Sequence, residues 1–232
     1  LDSNNNTELQ IEIRDIMRDF FSPLKAQGQY IRFLFITGIS KFSQMSIFSE
    51  LNNLQNISMW DEYSAICGIT EQEVHTLQID IEQIAQANNE TYEEACTHLK
   101  QQYDGYHFSK NSKDIYNPFS LFNAFAQKSY ENFWFSTGTP TFLIDLLQES
   151  NFDIRELDDT TATAEQFDAP TNRITDPLPV LYQSGYLTIK GYDPSFQLYT
   201  LAYPNKEVRK GFLESLMPAY VHLPARENTF YI

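Results

Sequence analysis

The stretch TEQEVHTLQIDIEQIAQANN, residues 70–89, decides the character of the central part of the chain. It begins with Thr70 and has Glu73 three residues later, the spacing of a capping box in which each side chain accepts a hydrogen bond from the other residue's backbone amide. Four apolar residues then recur at helical spacing, namely Val74, Leu77, Ile81 and Ile84. The stretch therefore predicts a capped helix with one apolar face.

Three further segments repeat this way of starting a helix. In TYEEACTHLKQQY, residues 91–103, Thr91 precedes Glu94 by three positions. The segments NPFSLFNAFA, residues 117–126, and TPTFLIDLLQ, residues 139–148, each place a proline directly after an Asn or Thr cap, where the missing N–H is not needed. The centre of the chain is therefore predicted to be a small helical unit.

The chain continues into a predicted winged-helix-like module. Residues 151–173 are polar and acidic, and we expect a connector or a mobile arm there. The segment 176–185, DPLPVLYQSG, predicts a short helix with a glycine stop, and the alternating segments YLTIK and QLYTL, residues 186–190 and 197–201, predict a hairpin. A closing helix is predicted from Asn205.

On the other side of the helical unit, the sequence predicts part of an α/β core. Residues 7–21, TELQIEIRDIMRDFF, predict a helix, and the almost wholly apolar YIRFLFIT, residues 30–37, predicts a central strand covered on both faces. The predicted fold class is α+β and mainly helical. It has three parts: residues 1–66 with the predicted strand of an α/β core, 67–150 as the helical unit, and 151–232 as connector and winged-helix-like domain.

Composition limits the function classes. The 232 residues carry a formal net charge of −15, and since no block of Lys and Arg offsets it, we expect neither nucleic acid nor an anionic membrane as partner. The longest apolar run, residues 33–36, is far shorter than the roughly 20 residues that span a bilayer. Two cysteines without a preceding signal leader predict reduced thiols and a cytoplasmic location.

The Ser-rich stretch FITGISKFSQMSIFSELNNL, residues 35–54, is the first place to look for a phosphate-binding loop. Its segment GISKFS, residues 38–43, contains a glycine, a lysine and serines, but it does not fit the spacing G-x-x-x-x-G-K-[ST]. Metal ligands are equally poorly supported, since Cys96 and His98 would point to different sides of a helix. A complete phosphate-transfer site and a metal site are therefore not expected within this sequence.

Two local motifs leave alternatives open. YDGYHFS, residues 103–109, is either a helix end stopped by Gly105 with its aromatic residues packed back on the helical unit, which we favour, or part of a site with an acid, a histidine and tyrosines. WFSTGTPTFL, residues 134–143, is either a helix N-cap or a turn whose proline face touches a flat ring.

In order and spacing, several of these stretches together resemble the AAA-ATPase-like family of bacterial proteins. The resemblance rests on FLFITGISKFSQMSIFSELNNLQNIS, YSAICGITEQEV, YDGYHFS, YNPFSLFNAF and FWFSTGTPTFL, and it covers residues 1–220. Members of the family often continue into a PD-(D/E)XK nuclease-like domain. By this resemblance the chain is the C-terminal half of the ATPase-like region, in which residues 1–66 are the remnant of a P-loop NTPase-like core and residues 67–150 are its helical lid. The phosphate loop and the Mg²⁺-holding acid would then precede Leu1, and a nuclease motif would follow Ile232.

The resemblance also implies roles for individual residues. Residues 31–37 look like a sensor strand, so that Thr37 or Ser40 would hydrogen-bond the γ-phosphate or its attacking water. The turn Gly138, Thr139, Pro140 is similar to the Gly-x-Pro turn of signalling-type NTPases, in which the proline lies against adenine. The intact protein would bind ATP and Mg²⁺, whereas this fragment is expected to hold neither and to be catalytically inactive.

Two function hypotheses from different classes follow. The first is the C-terminal part of an ATP-binding regulatory protein coupled to a nuclease domain. The second is a non-enzymatic helical and winged-helix module that binds protein or DNA, with a protein partner or an oligomer favoured over nucleic acid by the acidic charge. An intact phosphate loop upstream of Leu1 would favour the first hypothesis.

Overall fold

The computed structural model describes residues 7–38, 54–137, 141–150, 157–169 and 176–221. Its helices are α1 (Thr7–Ala26), α2 (Glu71–Val74), α3 (Gln78–Asn88), α4 (Tyr92–Tyr103), α5 (Pro118–Gln127), α6 (Thr141–Glu149), α7 (Ala164–Phe167), α8 (Leu178–Gln183) and α9 (Lys206–Val221). Its strands are β1 (Ile69–Thr70), β2 (Ile115–Tyr116), β3 (Thr160–Ala162), β4 (Thr188–Asp193) and β5 (Leu198–Ala202). Helices predominate and the sheets are small, which confirms the predicted α+β class at this level.

The predicted helix near the start of the chain is present as α1, and it is longer than predicted. Its apolar side chains are not buried, since Ile16 is 62% exposed and Phe20 is 73% exposed. The strand predicted for residues 30–37 is wrong, because residues 31–38 have no regular secondary structure and Phe33 is 80% exposed. A strand is completed by hydrogen bonds to a neighbouring strand, and no strand within the described ranges pairs with this stretch.

A first core, the helical core, forms where α3, α4 and α5 pack together. Beside these helices, β1 and β2 make a short antiparallel pair in which Ile69 lies opposite Tyr116. The largest wholly buried side chains of the helical core are Ile81, Ile84, Leu99, Tyr103 and Leu121. Of these residues, Ile81 and Ile84 belong to the apolar series predicted for residues 70–89, which is buried as one stripe of the helix.

Three of the four predicted helix starts are confirmed, those at Thr70, Thr91 and Asn117, while the predicted cap at Thr139 and Pro140 lies outside the described residues. The backbone amides of Thr70 and Thr91 each donate to the carboxylate three residues on, at 2.8 Å in both capping boxes. The Asn117 side chain accepts the amides that open α5. The helix predicted over residues 70–89 is instead two helices, α2 and α3. Between them the Thr76 hydroxyl donates to the Glu73 carbonyl at 2.6 Å, a local contact that competes with helix continuation.

A second core, the C-terminal core, surrounds a three-stranded antiparallel sheet of order β3-β5-β4. The predicted hairpin is β4 and β5, whose register is irregular between Ile189 and Gly191, and the predicted closing helix is α9. Helix α6 also belongs to this core, since Leu143 and Leu147 are fully buried in it. The sequence had grouped this helix with the helical unit, from which only the tertiary packing separates it.

The polar segment predicted to be a connector or arm contributes to the C-terminal core where it is described. Strand β3 pairs with β5, placing Thr160 opposite Leu201, and helix α7 follows directly. Leu157 and Phe167 are fully buried. The prediction of a connector is therefore wrong for residues 157–169. Two well-placed apolar side chains and a strand partner were enough to fix a segment whose average composition is polar.

In the part of the chain that the structure describes, no helix combines the length and the apolar character needed to cross a membrane.

Candidate functional site

Of the five residues predicted for a nucleotide site, the structure describes only Thr37. Thr37 lies in the irregular stretch after α1, and its side chain is exposed. Ser40, Gly138, Thr139 and Pro140 lie outside the described residues. The structure therefore does not test whether these five residues meet. What it describes is the chain on both sides of the Gly138-Thr139-Pro140 turn.

The turn before this motif is held by a buried carboxylate. Residues Trp134–Thr137 form a short 3₁₀ helix, and the Trp134 backbone amide donates to Oε1 of Glu207 at 2.9 Å. The Phe133 backbone amide also donates to this carboxylate, and the hydroxyl of Ser120 lies beside it. Glu207 is in the first turn of α9 and is 0% exposed. Burial raises the pKa of the Glu207 carboxyl, while the Trp134 amide works in the opposite direction.

One turn further along α9, Gly211 makes room for the next residue of the same 3₁₀ helix. A Cβ built on Gly211 would lie 2.3 Å from an atom of the Phe135 ring, far inside van der Waals contact. Trp134 and Phe135 stack edge-on, with centroids 5.1 Å apart, and both rings pack against Tyr186. Helix α9 thus supplies both a polar and a steric contact to the chain just before residue 138.

The YDGYHFS segment, for which a site was the alternative, joins the two cores. Tyr103 is fully buried in the helical core and donates its hydroxyl to the Glu131 carbonyl at 2.9 Å. Tyr106 is buried in the C-terminal core and donates its hydroxyl to the Gly185 carbonyl at 3.2 Å. The favoured prediction, a helix end with packed aromatics, is confirmed, with the difference that the aromatics pack on both cores.

The His107 side chain and the Gly105 carbonyl of this segment make structural contacts. His107 Nδ1 lies 3.0 Å from Oδ1 of Asp114, and this hydrogen bond lowers the pKa of the Asp114 carboxyl. The Lys190 ammonium donates to the carbonyls of Gly105 and Pro204, at 2.6 and 3.1 Å. These contacts tie the segment to the hairpin and to the residues before α9. They position backbone, and they do not place a nucleophile beside a base.

A second polar group lies on the helical core. His98 stacks on Tyr130 at 3.8 Å between ring centroids, and both side chains contact Glu90, at 2.9 Å from His98 Nδ1 and 2.7 Å from the Tyr130 hydroxyl. The open side of His98 borders a shallow depression along α4. Among the residues that the structure describes, no group of three or more His, Cys, Asp or Glu side chains could hold a metal ion.

Sequence reasoning missed Glu207 and Gly211. An acidic residue in the first turn of a helix is common, because it interacts favourably with the helix dipole, so Glu207 gave no signal of its own. Gly211 did give one, since a glycine inside an otherwise helical pattern often marks close packing. The partner that packs there, Phe135, is too far away in sequence to be inferred from spacing.

Comparison with known proteins supports the family resemblance. A family model described as "Predicted AAA-ATPase" matches residues 1–48 of the chain, which supports an AAA-ATPase-like family. A protein of Azotobacter chroococcum mcd 1 with the name "Uncharacterized protein in vnfD 5'region" is 35% identical over 230 residues. The match covers 97% of this chain and 42% of that relative, so the chain spans about two fifths of the relative's length. No solved structure matches the chain.

Proposed function

We propose that this chain is the C-terminal part of a signalling-type, AAA-ATPase-like regulatory protein that binds ATP when intact. The observation that carries the proposal is the match of the predicted AAA-ATPase family model to residues 1–48. The much longer relative gives further support, because it leaves room for a nucleotide-binding core outside the matched region. In this proposal the helical core of α3, α4 and α5 acts as the lid, the hairpin and α9 belong to a winged-helix-like module, and a nuclease-like domain is coupled to the ATPase.

The exposed apolar side chains near the start of the chain agree with this proposal. Ile16, Phe20 and Phe33 are between 62% and 80% exposed, although the pattern of α1 and the following stretch is that of buried elements. Exposed apolar surface of this kind is typical of a face that packs against another protein surface. We propose that this surface is the remnant of the NTPase core and packs against the rest of that core.

The roles within the site follow the family resemblance. Thr37 and Ser40 would act as sensor-like residues toward the γ-phosphate or its attacking water, and Gly138, Thr139 and Pro140 would lie on the adenine side. Mg²⁺ at a nucleotide is usually held by one or two carboxylates together with the phosphates, and the family resemblance places those carboxylates, like the phosphate loop, outside this chain. We therefore assign the metal ligands and the phosphate loop to the rest of the intact protein, and we expect no ATP hydrolysis by the 232-residue chain.

The test compares the full-length protein with the 232-residue chain. We expect the full-length protein to bind and hydrolyse ATP, and Thr37→Ala to slow hydrolysis by about 100-fold, the loss typical of removing one polar contact to the transition state. Thr97→Ala is the matched control, because the exposed Thr97 hydroxyl donates only to the Glu93 carbonyl of its own helix. Two results would contradict the proposal. One is ATP hydrolysis by the 232-residue chain that is lost in its Thr37→Ala variant. The other is micromolar ATP binding by the 232-residue chain, measured by calorimetry.

A further inference from the structure

Glu207 lies where the chain passes from one core to the other. The Phe133 side chain belongs to the helical core, whereas Trp134, the next residue, packs on the C-terminal core. The Glu207 carboxyl accepts hydrogen bonds from the backbone amides of both residues. Because α9 contributes Val208 and Phe212 to the C-terminal core, Glu207 connects that core to the chain that enters it from the helical core.

The Glu207 carboxyl is only partly satisfied at this position. It is 0% exposed, and among the described residues its Oε2 has no hydrogen-bond partner. The Ser120 hydroxyl of α5 lies close enough to influence the carboxyl, but it is not in hydrogen-bonding geometry and is itself buried without a partner there. A charged oxygen that has lost its water and gained no partner is unfavourable. A proton on Oε2 removes the charge and lets Oε2 donate toward Ser120, while Oε1 still accepts from Trp134.

The charged groups around Glu207 do not offset a negative charge. No Lys, Arg or His within the described ranges acts on its carboxyl. The ionisable groups that face it are the hydroxyls of Tyr103, at the end of α4, and Tyr106, and both are neutral because burial raises their pKa values. Helix α5 and residues 133–137 contain no ionisable side chain. The basic residues of α9 contact other side chains, namely Lys206 with Gln101, Arg209 with Asp158 and Lys210 with Glu214.

We propose that Glu207 is a pH-sensitive latch between the two cores: the neutral acid holds α9 against Ser120 and the amides of Phe133 and Trp134, and ionisation loosens this contact. The latch is the docking of residues 133–137 on α9, which is either closed, with Glu207 buried, or open, with Glu207 in water. It involves none of the residues proposed for nucleotide binding, so it is independent of the proposed function.

The direction of the pH effect follows from the two states of the latch. In the closed state burial raises the pKa of Glu207, whereas in the open state the carboxyl has the ordinary value of about 4.3. The closed state is therefore fully favoured below about pH 4.3, where Glu207 is neutral in both states. This contribution is lost as the pH rises through the raised pKa of the closed state.

Hydrogen exchange followed by mass spectrometry on the full-length protein tests the latch. Protection of a peptide covering residues 130–137 is measured relative to the intrinsic exchange rate at each pH, from about pH 5 to about pH 8. In the wild type we expect protection to fall by up to about tenfold per pH unit until the raised pKa is passed.

Two isosteric variants identify the titrating group. Glu207→Gln keeps the size and the acceptor oxygen but does not ionise, so its protection should be independent of pH and should exceed that of the wild type at about pH 8. Glu214→Gln is the matched control, because Glu214 is exposed on the same helix and lies 3.8 Å from Lys210. We expect this control to follow the wild type at every pH.

Several results would overturn the latch. One is constant protection of the 130–137 peptide in the wild type across this pH range, which needs no variant. Another is a Glu207→Gln variant with the pH dependence of the wild type, or with less protection than the wild type at about pH 8, since the latter would show that the negative charge holds the contact. A parallel pH dependence in a peptide of α3, which lies within the helical core, would show general loosening instead of a local latch.

Discussion

At position 105, both the backbone conformation and the close packing of neighbouring atoms require a glycine. It follows α4 with a φ of +101°, a conformation that residues with a side chain rarely adopt. A Cβ at this position would lie 2.2 Å from the Pro204 carbonyl oxygen and 2.9 Å from the Lys190 ammonium. The sequence indicated a glycine stop here, but only the structure shows the residues before α9 pressed against it.

Replacing Gly105 should therefore be costly. We expect Gly105→Ala to lower the free energy of unfolding by about 2 kcal/mol or more, because backbone strain adds to a clash with a carbonyl oxygen. Urea denaturation followed by far-UV circular dichroism measures the change. Gly191→Ala serves as control, with an expected change near zero. Equal denaturation midpoints for Gly105→Ala and the wild type would contradict the account of this position.

At the scale of single elements, the helix starts were the most predictable features. A capping box is made within four consecutive residues, so its chemistry depends little on the rest of the fold. Both predicted boxes are present, each with a backbone amide to carboxylate distance of 2.8 Å. The strand predicted for residues 30–37 requires a neighbouring strand as hydrogen-bond partner, and a sequence pattern does not identify that partner. This prediction was wrong.

The cap of α4 can be tested directly. We expect Thr91→Ala to lower the free energy of unfolding by about 1 kcal/mol, because the Glu94 amide loses its acceptor. Thr97→Ala, on an exposed position of the same helix, should change it by less than half as much, since its hydroxyl bonds a carbonyl that the helix already satisfies. Denaturant midpoints of both variants give the comparison. A Thr97→Ala effect as large as that of Thr91→Ala would argue against the cap.

At the scale of the whole molecule, the two cores are joined through both buried and exposed contacts. The segment between Tyr103 and Tyr106 places one aromatic ring in each core. Helix α9 adds contacts to α4, among them a hydrogen bond of 2.6 Å from the Lys206 ammonium to the Gln101 side chain. Because the buried Glu207 also belongs to this junction, separating the cores would expose a tightly packed surface.

We therefore expect the two cores to unfold together. The chain has two tryptophans, and in a Trp60→Phe variant only Trp134, beside the C-terminal core, would report by fluorescence. Far-UV circular dichroism follows all helices, including α3, α4 and α5 of the helical core. Coincident urea transitions by the two probes are the expected result. Two separate midpoints would show that the junction is too weak to couple the cores.

The sequence by itself determined the helix starts, the hairpin, the closing helix and the buried apolar stripes of the helical core. These features are encoded by residues within a few positions of one another. Its family resemblance is supported by the match to residues 1–48, while the roles of Thr37, Ser40 and the Gly138-Thr139-Pro140 turn stay predictions. These features can be predicted from local chemistry and from the order of motifs, because neither depends on which distant segments of the chain are in contact.

Only the tertiary structure decided which elements share a core. It placed α6 and β3 with the C-terminal sheet, and it brought Glu207 and Gly211 against the turn that begins at Trp134. A buried carboxylate and a helical glycine acquire their roles from partners more than 70 residues away, where the Trp134 amide and the Phe135 ring lie. Such contacts cannot be predicted from residue spacing in a single sequence, because packing between distant segments depends on the fold of the whole chain.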